Sequence, residues 1–345
     1  MATRSRRLSV RDEAKPLILI AAILVGIVLN RLLGAGAEWL IRVVEIGVFL
    51  VIFAVMLPVE ITEVSHAFRK VKPTALALFV NFLFIPFFAW SLGWLFLRQH
   101  PDVWAGVILY TLTPCIGWYL IFIDLAQGDV PWGMALLPWN ITLQVALMPL
   151  YLYLLVGKVL PLDLWALARS VVLYLFLPFA LAHVLQRSII ARRGRGDFFG
   201  PVKRFMDEVK LWSLVLVIVA MFASQRALGV EDLGRVTLII GVIAVFFLAL
   251  FTIALTLGRL AGLPYEETAT LAFTTTARNS EAVIGVAVSA FPGHPLVYLA
   301  VILGLIVELP MLLVVSRILL ALKGRVWQPV RPTTSVTAPG GGQRS

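Results

Sequence analysis

Cys115 is the chain's single cysteine, and it follows Pro114 in the run Thr111-Leu112-Thr113-Pro114-Cys115. A thiolate is a soft ligand that suits soft acceptors, trivalent arsenic and antimony among them. An isolated buried cysteine also serves as a small apolar side chain, so on the residue alone both readings stand. A second run, Thr274-Thr275-Thr276-Ala277-Arg278-Asn279-Ser280-Glu281, carries a different chemistry. Arginine inside a bilayer is unfavourable by about 2.5–3.5 kcal/mol and needs a carboxylate, an anion or cavity water. Arg278 therefore reads as a structural ion-pair partner, as an anchor for an anion, or as a fixed charge favouring the Cys115 thiolate. Glu281 lies three residues on, the spacing of one helix face. Glu308 is the other carboxylate within reach, and either glutamate is a candidate proton carrier in a low-dielectric site. Asn81, Asn140, Gln144 and Asn279 complete the set of polar residues expected at midspan. Such groups face a bundle interior or a cavity rather than lipid.

The elements that position these residues are two interrupted apolar segments. Pro114 has no N–H and clashes with the carbonyl four residues back, so a helix is broken there. Thr113, Pro131 and Pro149 recur 161 residues later as Thr274, Pro292 and Pro310. One such break alone reads as an ordinary proline kink. Two at matched positions, Thr113-Pro114 and Thr274-Thr275, point to the binding site of a secondary transporter. Helix N-termini exposed at such breaks carry partial positive charge and attract anions or oxygens.

The bulk of the chain agrees with a membrane setting. Its 345 residues are 60% hydrophobic and 14% charged, with a mean hydropathy of +0.95. A soluble domain of that composition could not cover its surface with polar groups. Apolar runs near the bilayer-spanning length of about 20 residues predict about ten transmembrane helices. They fall at 16–34, 39–58, 73–97, 103–127, 131–156, 163–186, 209–228, 235–260, 266–290 and 296–322. The net charge of +10 follows topology rather than nucleic-acid binding, since no groove-reading motif accompanies it. Basic residues precede the first span (Arg4, Arg6, Arg7, Arg11, Lys15) and follow the second (Arg69, Lys70, Lys72). They also follow the sixth (Arg187 through Arg204) and the tenth (Lys323, Arg325, Arg331). The positive-inside rule then puts both termini in the cytoplasm of a multi-pass cell-membrane protein of the bacterial inner-membrane type. Asn30-Arg31 ends the first apolar run without a cleavage pattern, so that run is read as a retained span. One cysteine allows no intrachain disulfide. No cofactor is expected, and the absence of a Walker loop, dinucleotide fingerprint or nucleophile elbow argues against an enzyme.

The architecture expected is an all-α polytopic membrane protein built as two inverted five-helix repeats, with broken, crossing helices four and nine. An odd number of spans per half forces the halves into opposite orientations. Residues 1–156 form the first repeat, with panel spans one and two and core spans three to five. Residues 157–322 form the second, with panel spans six and seven and core spans eight to ten. Residues 323–345, rich in Pro, Gly, Ser and Thr at their end, are expected to be a disordered cytoplasmic tail.

At these residues the chain resembles the superfamily of bile acid:sodium symporters and ten-span arsenite permeases, the arsenite branch in particular. The resemblance covers roughly 16–322. It rests on Met56-Leu57-Pro58, Asn81 with Pro86, Pro114-Cys115, and Asp124-Leu125-Ala126-Gln127-Gly128-Asp129. Asn140 with Gln144-Val145, Glu281, and Val307-Glu308-Leu309-Pro310 complete it. It implies a core in which two broken helices cross and which moves against the panel. It also implies proton-coupled efflux of arsenite, with antimonite as a second substrate. Cys115 would then be the thiol that meets the metalloid, and Glu281 the proton-linked acid. Two departures stand out. The arsenite branch usually has arginine before the cysteine, where this chain has Pro114, and a neutral amide where Arg278 stands. Against the bile acid symporters, Thr274 and Arg278 fall where a sodium-binding glutamate and glutamine are expected. A guanidinium has no lone pair for a cation and repels one nearby, so sodium is not expected as coupling ion. A carrier of a small organic anion, held by Arg278, is the alternative.

Overall fold

A computed structural model describes residues 10–33, 38–57, 70–115, 118–160, 164–224, 233–291 and 293–326. Arg4, Arg6 and Arg7, Pro58, Arg69, Pro292 and the tail beyond Val326 lie outside the described residues, as does the side chain of Glu281.

Helices occupy each stretch read as a span. In chain order they are α1 (Val10–Leu33), α2 (Glu38–Met56) and α3 (Val71–Phe96). Then come α4 (Pro101–Thr111), α5 (Trp118–Leu125), α6 (Val130–Val156) and α7 (164–193). The last five are α8 (Arg195–Ser224), α9 (Leu233–Leu260), α10 (Tyr265–Thr276), α11 (Ser280–Ala290) and α12 (Pro295–Val326). Among the described residues four helices are long and apolar enough to cross a membrane: α3, α6, α9 and α12. Large apolar side chains such as Phe79, Trp94 and Leu248 are exposed on them, as lipid-facing surface requires. The protein is thus an all-α polytopic membrane protein.

Prolines shape the helices locally. The π-turn Val80–Phe84 in α3 sits just before Pro86, and Val172–Phe176 in α7 just before Pro178. The π-turn Leu152–Val156 in α6 follows Pro149. A proline removes one rung of the hydrogen-bond ladder, and a wider turn absorbs the mismatch. Asn81 lies in the first of these turns.

Two sets of close helix contacts stand out, and α11 packs on α2 and α7 between them. α8 runs along α1 and α2, and α7 packs on α2. Gly26 and Gly47 let the backbones close up, because a Cβ there would meet Phe222 and Val217 at 2.6 Å. Asn30 Nδ2 donates to Ala223 O at 2.8 Å, tying α1 to α8. In the other set α4 packs on α12, and α9 on α10 and α12. Gly106 faces Val297 and Ala300, and Gly304 faces the Tyr110 ring, each closer than a Cβ would allow.

Candidate functional site

α4 and α5 are 11 and 8 residues long, about 17 and 12 Å at 1.5 Å per residue. Neither spans a hydrocarbon core of about 30 Å. The same holds for α10 and α11, so each pair can cross only as two halves. The two interruptions meet. Cys115 N donates to Ala277 O at 3.0 Å, and Asn279 N donates to Thr113 O at 2.8 Å. Pro114 and Arg278 face each other between these bonds as an antiparallel bridge. The bonds come from the flanking residues, so the N–H that Pro114 lacks is not required.

The bonds join Cys115 with Ala277 and Thr113 with Asn279, on either side of the facing pair Pro114 and Arg278. The sequence identities lie at 161. Of the residues matched at that spacing, Thr113 lies beside the bridge and Thr274 in the last turn of α10. Thr113 Oγ1 donates to Asn279 O at 3.2 Å.

Arg278 is fully buried. Its backbone N–H donates to Glu308 Oε1 at 2.9 Å, and Glu308 Oε2 accepts from the Tyr110 hydroxyl at 3.1 Å. The guanidinium turns the other way, toward the C-terminal ends of two half-helices. Nε donates to Thr276 O at 3.3 Å and Nη1 to Thr111 O at 3.0 Å. Nη2 donates to Thr275 O at 2.5 Å, Asn81 Oδ1 at 3.1 Å and Thr274 O at 3.5 Å. The Phe246 ring lies 6.0 Å from the guanidinium carbon. A cation at helix C-termini meets the negative end of the dipole and the carbonyls left unbonded there.

The sequence had Arg278 and Glu281 on one helix face. The structure does not, because Arg278 lies in the extended crossing and α11 begins only at Ser280. Glu281 is in the first turn of α11.

The other expected residues converge as follows. Asn81, on α3, donates through Nδ2 to Thr274 O at 3.1 Å and accepts from Arg278. Asn140, on α6, donates to Thr274 Oγ1 at 3.4 Å, while its Oδ1 has no partner. Gln144, one turn further on the same face, is buried, and among the described residues neither of its amide atoms has a partner. Ser280 Oγ is likewise buried and unpartnered. Thr275 turns its hydroxyl back to Leu271 O at 2.8 Å and contributes its carbonyl instead. Cys115 is a buried thiol, within electrostatic reach of Tyr110, Tyr119 and Arg278. Tyr110, Thr111 and Thr276 were not anticipated. Tyr110 reads in sequence as an ordinary aromatic, and the other two act through backbone carbonyls.

A second charged cluster lies where several helices end. Lys70 Nζ is 2.5 Å from both Asp129 Oδ2 and Glu267 Oε1. Asp129 also caps α6 by accepting from Trp132 N at 3.0 Å. Lys323 reaches Glu266 at 3.1 Å and Gln127 at 3.2 Å. Burial pulls the Lys70 ammonium down, but the hydrogen bonds and charges of Asp129 and Glu267 outweigh it and hold its pKa above the usual 10.5.

Crossed half-helices, with polar side chains buried among apolar spans, define a membrane transporter rather than an enzyme. Residues 45–231 match the sodium bile acid symporter family, and the chain belongs to that family. The arsenical-resistance protein Acr3 of Corynebacterium glutamicum is 26% identical over 330 residues, covering 89% of this chain and 88% of that protein. The protein of the same name from Alkaliphilus metalliredigens is 24% identical, covering 90% and 91%. An uncharacterised transporter of Synechocystis is 26% identical, covering 90% and 88%.

Proposed function

We propose that this transporter exports arsenite, and antimonite by the same chemistry, in exchange for protons. The observation that carries the reading is the position of the lone thiol, Cys115, in the bridge where the two broken helices meet. A soft trivalent metalloid suits a thiolate ligand. The two arsenical-resistance relatives support the same substrate. Asn140, Gln144 and Asn279 supply buried amides, and among the described residues Asn140 and Gln144 hold atoms without partners. A buried, unbonded amide atom is unfavourable by about 1–3 kcal/mol, and a solute or its water relieves that.

Glu308 and Glu281 are the proton-coupling candidates. Glu308 accepts from the Arg278 N–H and the Tyr110 hydroxyl, so its protonation weakens a contact that holds the crossing. The two sets of contacts support a panel of α1, α2, α7 and α8, against which a core of the other helices moves. The protein then crosses the cell membrane ten times as two inverted repeats, with both termini cytoplasmic. The test is arsenite uptake into everted vesicles under a proton gradient without sodium. Uptake by wild type that is lost in Cys115→Ser is expected. Unchanged uptake in Cys115→Ser overturns the role of the thiol.

A second reading is a carrier of a small organic anion. It is supported by the unpartnered Ser280 hydroxyl at the start of α11, since a helix N-terminus favours a carboxylate or sulfonate. Uptake that survives Cys115→Ala but not Arg278→Ala supports it.

A further inference from the structure

The oxygens around the Arg278 guanidinium form a cation site in their own right. Four are backbone carbonyls at the C-terminal ends of two half-helices, Thr111 O from α4 and Thr274, Thr275 and Thr276 O from α10. The fifth is the Asn81 amide oxygen from the π-turn of α3. Among the described residues none of the guanidinium's hydrogen bonds goes to a carboxylate. Glu308 bonds the backbone N–H of Arg278 instead. Neutral carbonyls, converging from broken helices with their negative dipole ends inward, are the chemistry that binds a small monovalent metal cation in transporters and channels. Here the chain supplies the charge itself. A guanidinium stays protonated at any working pH and has only donors to offer.

We propose that Arg278 is a tethered cation. It fills a carbonyl cage that would otherwise bind a monovalent metal cation of the sodium type, and it thereby makes the transport cycle independent of that cation. The family is described by sodium coupling, and this side chain explains how a member keeps the crossing intact without the ion. The inference does not depend on which solute is carried. A fixed charge also differs from an ion in one respect. It cannot leave, so the cage stays closed through the cycle and the coupling must reside elsewhere.

The test is thermal unfolding of the purified protein in sodium, potassium or choline chloride at matched ionic strength, for wild type, Arg278→Ala, Arg278→Gln and Arg278→Lys. Wild type and Arg278→Lys are expected to melt at the same temperature in all three salts. Arg278→Ala and Arg278→Gln are expected to melt lower in choline and to recover several degrees in sodium, saturably. The variants are purified in sodium so that a cage needing an ion can form. A folded, monodisperse Arg278→Ala or Arg278→Gln without a saturable sodium effect overturns the proposal. So does a saturable, sodium-specific rise in wild type, a result that stands even if no alanine or glutamine variant folds. Arsenite transport is not part of the readout, so failure of the substrate reading leaves this result standing, and the reverse.

Discussion

Gln144 buries an amide whose nitrogen and oxygen both lack partners among the described residues, which no packing argument justifies. Replacing such a group by an apolar one of similar shape is near neutral or stabilising. Gln144→Met is therefore expected to hold or raise the melting temperature, by up to about 1–3 kcal/mol of stability, while solute uptake into vesicles falls. A large loss of both stability and transport would make Gln144 a structural residue. Glu308 is the opposite case, since both carboxylate oxygens are engaged. Glu308→Gln keeps an acceptor for the Arg278 N–H but carries no exchangeable charge. Uptake in that variant is expected to lose its response to an imposed proton gradient, with Glu281→Gln as the parallel measurement. A full response in Glu308→Gln would move the proton to Glu281.

The helices are held at their close approaches and at one end of the core. A Cβ on Gly106 would lie 2.6 Å from Val297 O and 3.0 Å from Val297 Cα, which are backbone atoms and cannot swing aside. Gly106→Ala is expected to destabilise by roughly 1–3 kcal/mol through separation of α4 from α12. Gly241→Ala meets nothing within 4 Å and is expected to leave the melting temperature unchanged or slightly higher, which makes it the control. Lys70 stitches α3 to α6 and α10 through Asp129 and Glu267. Its side chain is 33% exposed, so solvent screening limits Lys70→Met to a loss of about 1 kcal/mol, reduced further in high salt. The sign with pH follows from a folded pKa raised above 10.5. The contribution is complete below the ordinary lysine pKa and disappears as pH rises through the raised value. Melting curves of wild type and Lys70→Met should therefore differ at neutral pH and converge in strong alkali.

On the scale of the whole molecule, the protein is a membrane transporter whose interrupted helices meet at their breaks. α8 packs along α1 and α2, and α11, half of the second interrupted pair, packs on α2 and α7. Reporter fusions check the orientation. A reporter that is active only in the cytoplasm is expected to be active when fused after Ser345. Activity of a periplasm-only reporter at the same point would reverse the topology.

The apolar runs made the helices and the membrane setting legible in the sequence, because spanning length and backbone self-satisfaction leave few alternatives. Pro114, Cys115 and Arg278 marked both breaks, since a missing N–H and a charge amid apolar residues are visible in one dimension. What those residues touch was decided only by the tertiary structure. That Pro114 faces Arg278 across the two breaks came from backbone hydrogen bonds, which no side-chain identity encodes. Arg278 does not share a helix face with Glu281, because the chain there is extended and the helix starts two residues later. Its actual partners are carbonyls of Thr111, Thr274, Thr275 and Thr276, and Lys70 finds acids 59 and 197 residues away. Every residue carries a carbonyl, so only the fold selects which of them converge on one charge.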